Sequence, residues 1–461
     1  MSPATSTGLR RSLGALEYFT FGFGSMVGVG WLVIMDDWLA RGGPGGAMLG
    51  FLGGTLLLLP VALTYARLVR AIPDAGAEIA YTERVFPRGV SFAAGWMMVL
   101  AYAIVCPWEA VAIGNLLARI VPAMNDIPLY AVAGKVITLP RLIAGLVLTG
   151  GIGFLNYRGI RLSGRFQDIM TLGLLACFAV FVVLGFARGS ASNVQPLFAP
   201  SGAFVSVLLV AQIVPYFLTG FDAIPKASEE ARADLPSSAL SRTIILALIA
   251  GGLFYVLVVA VVAWVYPWTD LVRQHLGTEA AFARAFGAEW IARLILAGAL
   301  LSLFKIFNGS LVAATRLLYA LGHRGLVHPS VGTVDQRFGT PSVSILLITL
   351  LTAAGAFFGD ALLVPITEVG SALGGIGWLA ACLACIPLSR RGGDRPGVAL
   401  AVTGAVVSVA IVLMKVIPAV PGSFRWAEWV ALGSWCVLGL LLWRPLPLFP
   451  QRPHPASAGA N

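Results

Sequence analysis

Residues 24–31, GSMVGVGW, lie inside the first long apolar run of the chain and contain Gly24, Gly28 and Gly30. Each glycine inside a helix costs about 1 kcal/mol relative to alanine, so an unbroken helix is unfavourable here. A later apolar run, residues 212–230 (QIVPYFLTGFDAIPKASEE), has a similar defect. It contains Pro215, Gly220, Asp222 and Pro225 within eleven residues. Both stretches predict interrupted helices.

The composition around these stretches is that of an integral membrane protein. Of 461 residues, 58% are hydrophobic and 11% are charged, against about 25% charged in soluble domains. We identify twelve apolar stretches long enough to cross a hydrocarbon core of about 30 Å. They lie near residues 14–40, 46–70, 91–121, 138–157, 166–187, 203–225, 241–266, 287–321, 341–359, 362–388, 396–417 and 427–447. The N-terminal segment lacks the pattern of a removable signal peptide.

Basic residues predict the orientation of the chain. With the N-terminus inside, the inner loops and tails hold twenty of the 31 lysines and arginines. This bias predicts that both termini are cytoplasmic, in a cell membrane. The net charge of +10 is then explained by the inner leaflet and implies no nucleic-acid partner.

Metal, cofactor and catalytic motifs are weak. Cys382 and Cys385 form a CxxC pair, but no second pair and no histidine accompany it. The glycines near residue 24 miss the GxGxxG spacing of a dinucleotide loop. We therefore expect no metal, no cofactor and no enzymatic activity.

The interrupted helices point to a binding site. Inside a membrane, such breaks are tolerated where the freed backbone groups face protein or a water-filled cavity. Two of them, five spans apart, are typical of inverted-repeat transporters with a site near the midplane. The alternative is close helix packing through the small-xxx-small spacing of Gly24 and Gly28. That alternative does not explain the Pro-Gly-Asp-Pro series of the later stretch.

Five motifs, in order and spacing, resemble the amino acid–polyamine–organocation (APC) family of permeases over about residues 13–388. They are the glycine-rich first helix, the loop ALTYARLVRAIPDAGAEIAYTERVFPRG, and the segments LNYRGIRLSGRFQ, FLTGFDAIPKASEE and NGSLVAATRLLYALGHRGLVHP. The resemblance implies an all-α, LeuT-type membrane fold of twelve helices that works by alternating access. It predicts inverted repeats at residues 14–187 and 188–388, two further helices at 389–447, and cytoplasmic tails at 1–13 and 448–461.

The resemblance also implies where a substrate binds. Broken helices offer free amides to a carboxylate and free carbonyls to an ammonium group. We assign the carboxylate to the amides of Val27, Gly28, Val29 and Gly30. The ammonium is assigned to the carbonyls of Phe217, Leu218 and Thr219, beside Gly220. Trp108, Tyr216 and Phe217 are candidate aromatic gates. Val29 and Trp31 depart from the family pattern, and we expect the Trp31 indole to narrow the site.

Four ionisable residues fall inside predicted spans, where a charge is costly: Glu109, Asp222, Lys305 and Glu368. Glu109 is expected to pair with a substrate amine or to carry a proton. Asp222 either contacts substrate or ions, or caps freed amides at the break. Glu368 is expected to face the outer vestibule.

Lys305 is the candidate for ion coupling. Sodium-independent APC members often place a lysine on the fifth helix, where this chain has Gly173 or Leu174. We predict that Lys305 supplies the cation instead and bonds the first helix near Gly24 and Ser25. The alternatives are a snorkelling lysine or a pair with Asp222.

These features predict a sodium-independent permease for an amino acid or related amine, either proton-coupled or exchanging. The alternative is a transceptor or accessory subunit of the same fold that binds ligand without turnover. A small-molecule substrate, a proton and the lipid bilayer are the expected partners.

Overall fold

The computed structural model describes residues 9–444, apart from the side chains of residues 362–367. The predicted tails therefore lie largely outside the described residues: 1–8 of the first and all of 448–461. Within the described part, the chain is helical except for one β-hairpin and the connections.

The first half of the chain contains eight helices and the hairpin. The helices are α1 (Ala15–Met26), α2 (Gly30–Val33), α3 (Met35–Ala71), α4 (Glu78–Glu83), α5 (Arg88–Ala103), α6 (Val105–Ala118), α7 (Leu139–Tyr157) and α8 (Ile160–Arg188). The strands are β1 (Pro128–Val132) and β2 (Lys135–Thr138), which pair antiparallel. The apolar pattern did not predict the hairpin, since its strands are short and mostly exposed.

The second half contains eleven helices. They are α9 (Ala203–Ala211), α10 (Val214–Leu218), α11 (Ala223–Lys226), α12 (Ser237–Val265), α13 (Trp268–Arg273), α14 (Thr278–Phe286), α15 (Glu289–His323), α16 (Ser342–Ala356), α17 (Leu363–Arg391), α18 (Arg395–Val416) and α19 (Trp426–Leu442). The short helices α13 and α14 were not predicted.

The membrane-spanning capacity of these helices is clear from length and composition. Within residues 9–444, nine helical stretches are long and apolar enough to cross a membrane, and α16 and α19 are shorter apolar helices. The predicted sixth stretch is divided among α9, α10 and α11, so none of its pieces has the required length. The count of twelve spans and the inverted repeat stay predictions.

Helix α15 and the paired helices α1 and α2 form the centre of the bundle. Helix α1 packs against α8, α12 and α15, while α10 packs against α17 and α3. The outer helices bear large exposed apolar side chains, for example Ile169 at 65%, Val183 at 68% and Val406 at 63%. Such surfaces suit lipid rather than water. The charged and polar side chains of the centre are consequently shielded from solvent.

Candidate functional site

The first glycine-rich stretch forms a gap between two helices. Helix α1 ends at Met26 and α2 begins at Gly30. The backbone leaves the helical conformation at Val27 (φ −91°, ψ 95°). Gly30 and Trp31 are the first residues of α2, so their amides have no hydrogen-bond acceptor within that helix. The gap therefore offers carbonyls on one side and amides on the other.

The second stretch contains another gap, and the two gaps touch. Helix α10 ends at Leu218, and Gly220 follows with φ 149° before α11 begins at Ala223. A Cβ atom on Gly220 would lie 2.7 Å from the Met26 amide nitrogen. Position 220 therefore requires glycine for two reasons: its positive φ angle and the close approach of the Met26 backbone. The Asp222 carboxylate accepts a bond from the Gly220 amide at 3.0 Å, which is the capping role considered for it.

Lys305 lies under the end of α1. Its side chain is fully buried, and Nζ donates to the carbonyl of Gly24 at 3.2 Å and to that of Val27. Nζ also lies 5.6 Å from the centre of the Phe23 ring. One ammonium group thus binds two of the carbonyls that the end of α1 leaves without helical partners.

Hydroxyl groups also bind carbonyls of the gap, including that of Val27, which they share with Lys305. Ser302 Oγ lies 2.8 Å from both the Val27 and Gly28 carbonyl oxygens, and Tyr255 donates to the Met26 carbonyl at 2.9 Å. Sequence reasoning missed both residues, since a serine or tyrosine in an apolar helix is common. Ser302 lies three residues before Lys305 on α15, which puts the two side chains on one face.

A narrow cavity lies beside the gap. Its volume of about 20 Å³ is room for about one water molecule. The predicted site residues that line it are Ser25, Gly28, Val29, Gly30, Trp108, Glu109, Tyr216, Phe217 and Thr219. The rest of the lining consists of Met26, Ile34, Ala101, Tyr102, Val105, Ile306, Ser310 and Gly370. Any substrate larger than water therefore needs a wider conformation.

Glu109 is the acidic residue of this cavity. Its side chain is 1% exposed, and Oε1 lies 3.2 Å from where a Cβ atom on Gly28 would stand. Among the described residues, Oε2 is buried and has no hydrogen-bond partner. A buried carboxylate oxygen without a donor is costly, so the site favours a proton or a cationic group here.

Phe217 covers the start of α2. A Cβ atom on Gly30 would lie 2.7 Å from its Cε1 atom. The ring packs edge-on against Trp38 and Tyr216, with centroids 4.9 and 5.2 Å away. Phe217 therefore covers the start of α2 and lines the cavity, whereas Trp31 does not line it. Trp31 packs against Phe181 and Phe254 instead, so the expectation that its indole narrows the site was wrong.

Other predicted residues lie apart from the cavity. Val27 and Leu218 are fully buried and do not line it, and the Gly24 carbonyl accepts from Lys305. Asp222 does not contact Lys305; it pairs with Lys226. Glu368 on α17 forms an ion pair with Lys415 on α18. Its carboxylate therefore connects two neighbouring helices, a contact that the expected vestibule position did not include.

Sequence reasoning missed a buried ion cluster below the second gap. Lys226 Nζ lies 2.8 Å from Glu78 Oε1 and 3.0 Å from Asp222 Oδ2, and all three side chains are fully buried. Lys226 is one of the twenty basic residues counted in the inner loops and tails from the sequence, whereas its side chain is buried. The separation of four residues between Asp222 and Lys226 was the available signal. Within the described residues, no group of three or more His, Cys, Asp or Glu could hold a metal ion.

Comparisons with known proteins agree on one family. A family model described as "Amino acid permease" matches residues 18–391. The branched-chain amino acid permease BcaP of Bacillus subtilis (strain 168) is 28% identical over 84% of this chain and 83% of its own. The methylthioribose transporter of the same organism is 29% identical over 77% and 76%. The lysine-specific permease LysP of Escherichia coli (strain K12) is 24% identical over 75% and 70%.

Proposed function

Because the chain belongs to the amino acid permease family of the APC superfamily, we propose that it is a secondary transporter for an amino acid or related amine. It works by alternating access, with twelve membrane spans, a five-plus-five inverted repeat and both termini in the cytoplasm. Transport is independent of sodium and is either coupled to protons or an exchange of substrates. The two gaps at the centre of the bundle support this proposal.

The substrate binds between the gaps. Its carboxylate meets the amides at residues 27–30, and its ammonium group meets the carbonyls at residues 217–219. The contact between Gly220 and Met26 supports this arrangement, since it brings the two sets of backbone groups to one place. Charged substrate groups lose their water shell at such a site, and helix ends replace it with fixed dipoles.

The proposal of sodium independence rests on the contacts of Lys305. Its ammonium group binds the Gly24 and Val27 carbonyls, which are the type of oxygen ligand that a sodium ion would otherwise use. A fixed positive charge already offsets the negative end of α1, so a second cation there would be repelled.

Uptake into proteoliposomes tests the proposal. We expect saturable uptake of a radiolabelled amino acid without sodium, and no stimulation when sodium replaces choline. Lys305→Ala removes the ammonium donor of the Gly24 carbonyl and leaves the Val27 carbonyl with Ser302 alone, so initial uptake should fall at least tenfold. Lys415→Ala is the matched control, because it removes a buried lysine that lies outside the cavity. Uptake by Lys415→Ala, corrected for the amount of folded protein, should fall less than uptake by Lys305→Ala.

Three results would contradict the proposal. Sodium-stimulated uptake, or undiminished uptake by Lys305→Ala, would remove the assigned role of Lys305. Saturable binding without any uptake would indicate the transceptor or accessory subunit instead. A thermal-shift screen of amino acids, polyamines and ethanolamine would identify the probe to use, since a ligand of the folded state raises its stability.

A further inference from the structure

A basic depression lies at the end of the bundle that holds the N-terminal segment. We define it by the arginines that line it: Arg10, Arg11, Arg161, Arg165 and Arg232. Its volume of about 330 Å³ is within the range of small-molecule pockets. A second opening, lined by Arg158 together with Arg10, Arg161 and Arg165, extends it.

The positive charges of the basic depression are largely unbalanced. Four of its arginines, Arg10, Arg11, Arg161 and Arg165, have no carboxylate within 4.0 Å in the part of the chain that the structure describes. Arg232 pairs with Asp234. Glu17 is the acidic residue that lines the depression, and its Oε2 accepts from the Gly14 amide. Arg161 and Arg165 are like charges one turn apart on α8, an arrangement that destabilises a helix unless an anion binds.

Backbone contacts hold the basic depression in shape. The Ser12 and Leu13 amides donate to the Glu230 carbonyl at 2.8 and 2.9 Å, and the Arg232 amide donates to the Leu13 carbonyl at 3.0 Å. The Glu230 carboxylate is itself bound by buried Arg316. The backbone of residues 10–13 is therefore held beside α8, so Arg10 and Arg11 need less ordering when a ligand binds. Helix α8 begins at Ile160, so its positive dipole end adds to the charge.

The same face of α8 continues into an exposed apolar surface. Ile169 and Leu172 lie four and seven residues after Arg165, on its side of the helix, and are 65% and 49% exposed. Leu162 beside the arginines is 49% exposed. The arginines could bind the headgroup of a phospholipid, and the exposed apolar residues along α8 could contact its acyl chains. A soluble anion would use only the arginines.

We propose that the basic depression binds the headgroup of an anionic phospholipid, and that a lipid with two phosphate groups, of the cardiolipin type, fits it best. The phosphates lie between residues 10–13 and the start of α8, and the acyl chains lie along Ile169 and Leu172. Arginine binds phosphate oxygens through two parallel N–H donors, so several arginines can hold two phosphates at once. The site is separate from the transport cavity, and the proposal does not depend on transport.

Native mass spectrometry of the purified protein tests this site with cardiolipin as the probe. We expect cardiolipin to remain bound to the wild type, and binding to weaken roughly tenfold or more in the double variant Arg161→Gln/Arg165→Gln. The matched control is Arg390→Gln/Arg391→Gln, which removes two exposed arginines from the end of another long helix, α17. It should bind cardiolipin like the wild type.

Control ligands distinguish an anionic lipid from a soluble anion at this site. Zwitterionic phosphatidylcholine should not be retained, and millimolar pyrophosphate should neither bind nor displace cardiolipin. Equal loss in both double variants would reduce the effect to general surface charge and overturn the proposal. Pyrophosphate binding that depends on Arg161 and Arg165 would overturn the lipid and indicate a soluble anion. If the α8 variant fails to fold, Arg10→Gln/Arg11→Gln replaces it, and unchanged binding there would count against the site.

Discussion

At the scale of single residues, Glu109 and Lys305 are the charged groups of the central site. Lys305 is held by backbone carbonyls, whereas one oxygen of Glu109 has no hydrogen-bond partner among the described residues. A group without fixed partners is the better candidate for a changing charge. We therefore propose different roles for the two residues: Lys305 is a fixed cation, and Glu109 carries a proton or binds the substrate amine.

Glu109→Gln tests the proton-carrier role. The amide keeps the size of the side chain and cannot take up a proton. We expect uptake driven by a proton gradient to fall at least tenfold, while exchange between internal and external substrate is retained. Both rates are measured with the same proteoliposomes, and Glu289→Gln, an exposed carboxyl at the start of α15, is the control. Loss of both activities would instead indicate that Glu109 binds the substrate amine.

Gly30→Ala tests the close contact at the start of α2. The new methyl group would lie 2.7 Å from Phe217, whose ring is held by Trp38 and Tyr216. Overpacking of this kind costs about 1–3 kcal/mol, so substrate affinity should fall roughly tenfold in a binding titration. Gly53→Ala is the control, because a Cβ atom there meets nothing within 4 Å. Unchanged affinity of Gly30→Ala would show that Phe217 moves freely.

At the scale of secondary-structure elements, the breaks are fixed by contacts from other helices. Helices α12 and α15 supply the donors that bind the carbonyls at the end of α1. Lys226, the last residue of α11, binds both Asp222, just before that short helix, and Glu78 at the start of α4. A four-residue helix has little stability of its own, so this cluster holds α11 in place.

Lys226→Met tests the contribution of the cluster. The substitution leaves the Glu78 and Asp222 carboxyls buried without their cation, and breaking such a pair typically costs about 3–5 kcal/mol. We expect a large fall in the thermal unfolding temperature of the detergent-solubilised protein. Arg273→Gln removes an exposed pair with Asp270 and should have little effect. Similar unfolding temperatures for both variants would contradict a stabilising role for the cluster.

At the scale of the whole molecule, charged contacts join distant parts of the chain at one end of the bundle. Arg324 on the connection after α15 binds Asp74 at 2.6 Å and Glu83 at 2.8 Å. The Glu229 carboxylate accepts from the Ala75 amide at 3.1 Å. Burial, and then the charge of Asp74, raise the pKa of Glu229. We therefore expect the contribution of Glu229 to stability to depend on pH.

Glu229→Gln tests that sensitivity. With its pKa raised on folding, the Glu229 carboxyl holds its proton more tightly in the folded state, so it destabilises the fold as pH rises through that pKa. Glutamine stays neutral and still accepts from Ala75. The unfolding temperature of the variant, relative to wild type, should therefore increase from acidic to neutral pH. Glu289→Gln should show no such trend, and a variant that loses stability toward neutral pH would contradict the assignment.

The sequence alone determined the features that follow from local chemistry. Apolar length indicated the membrane helices, and glycine and proline at residues 24–31 and 212–230 indicated where helices stop, because these residues act on their own backbone. The motifs indicated the permease family, which the family match confirms. Lys305 was assigned to the end of α1 through the resemblance to the family, and the need of a buried ammonium group for oxygen partners supported that assignment.

Only the tertiary structure decided which side chains meet. Trp31 turns away from the cavity because Phe181 and Phe254 provide an aromatic pocket on the other side. Lys226 is buried because Glu78, 148 residues away in sequence, supplies its counter-charge. The arginines of the basic depression come from three separated segments, and the Glu230 carbonyl holds two of those segments together. Such contacts depend on how helices pack, and helix periodicity carries no information about the partner that a given face will meet.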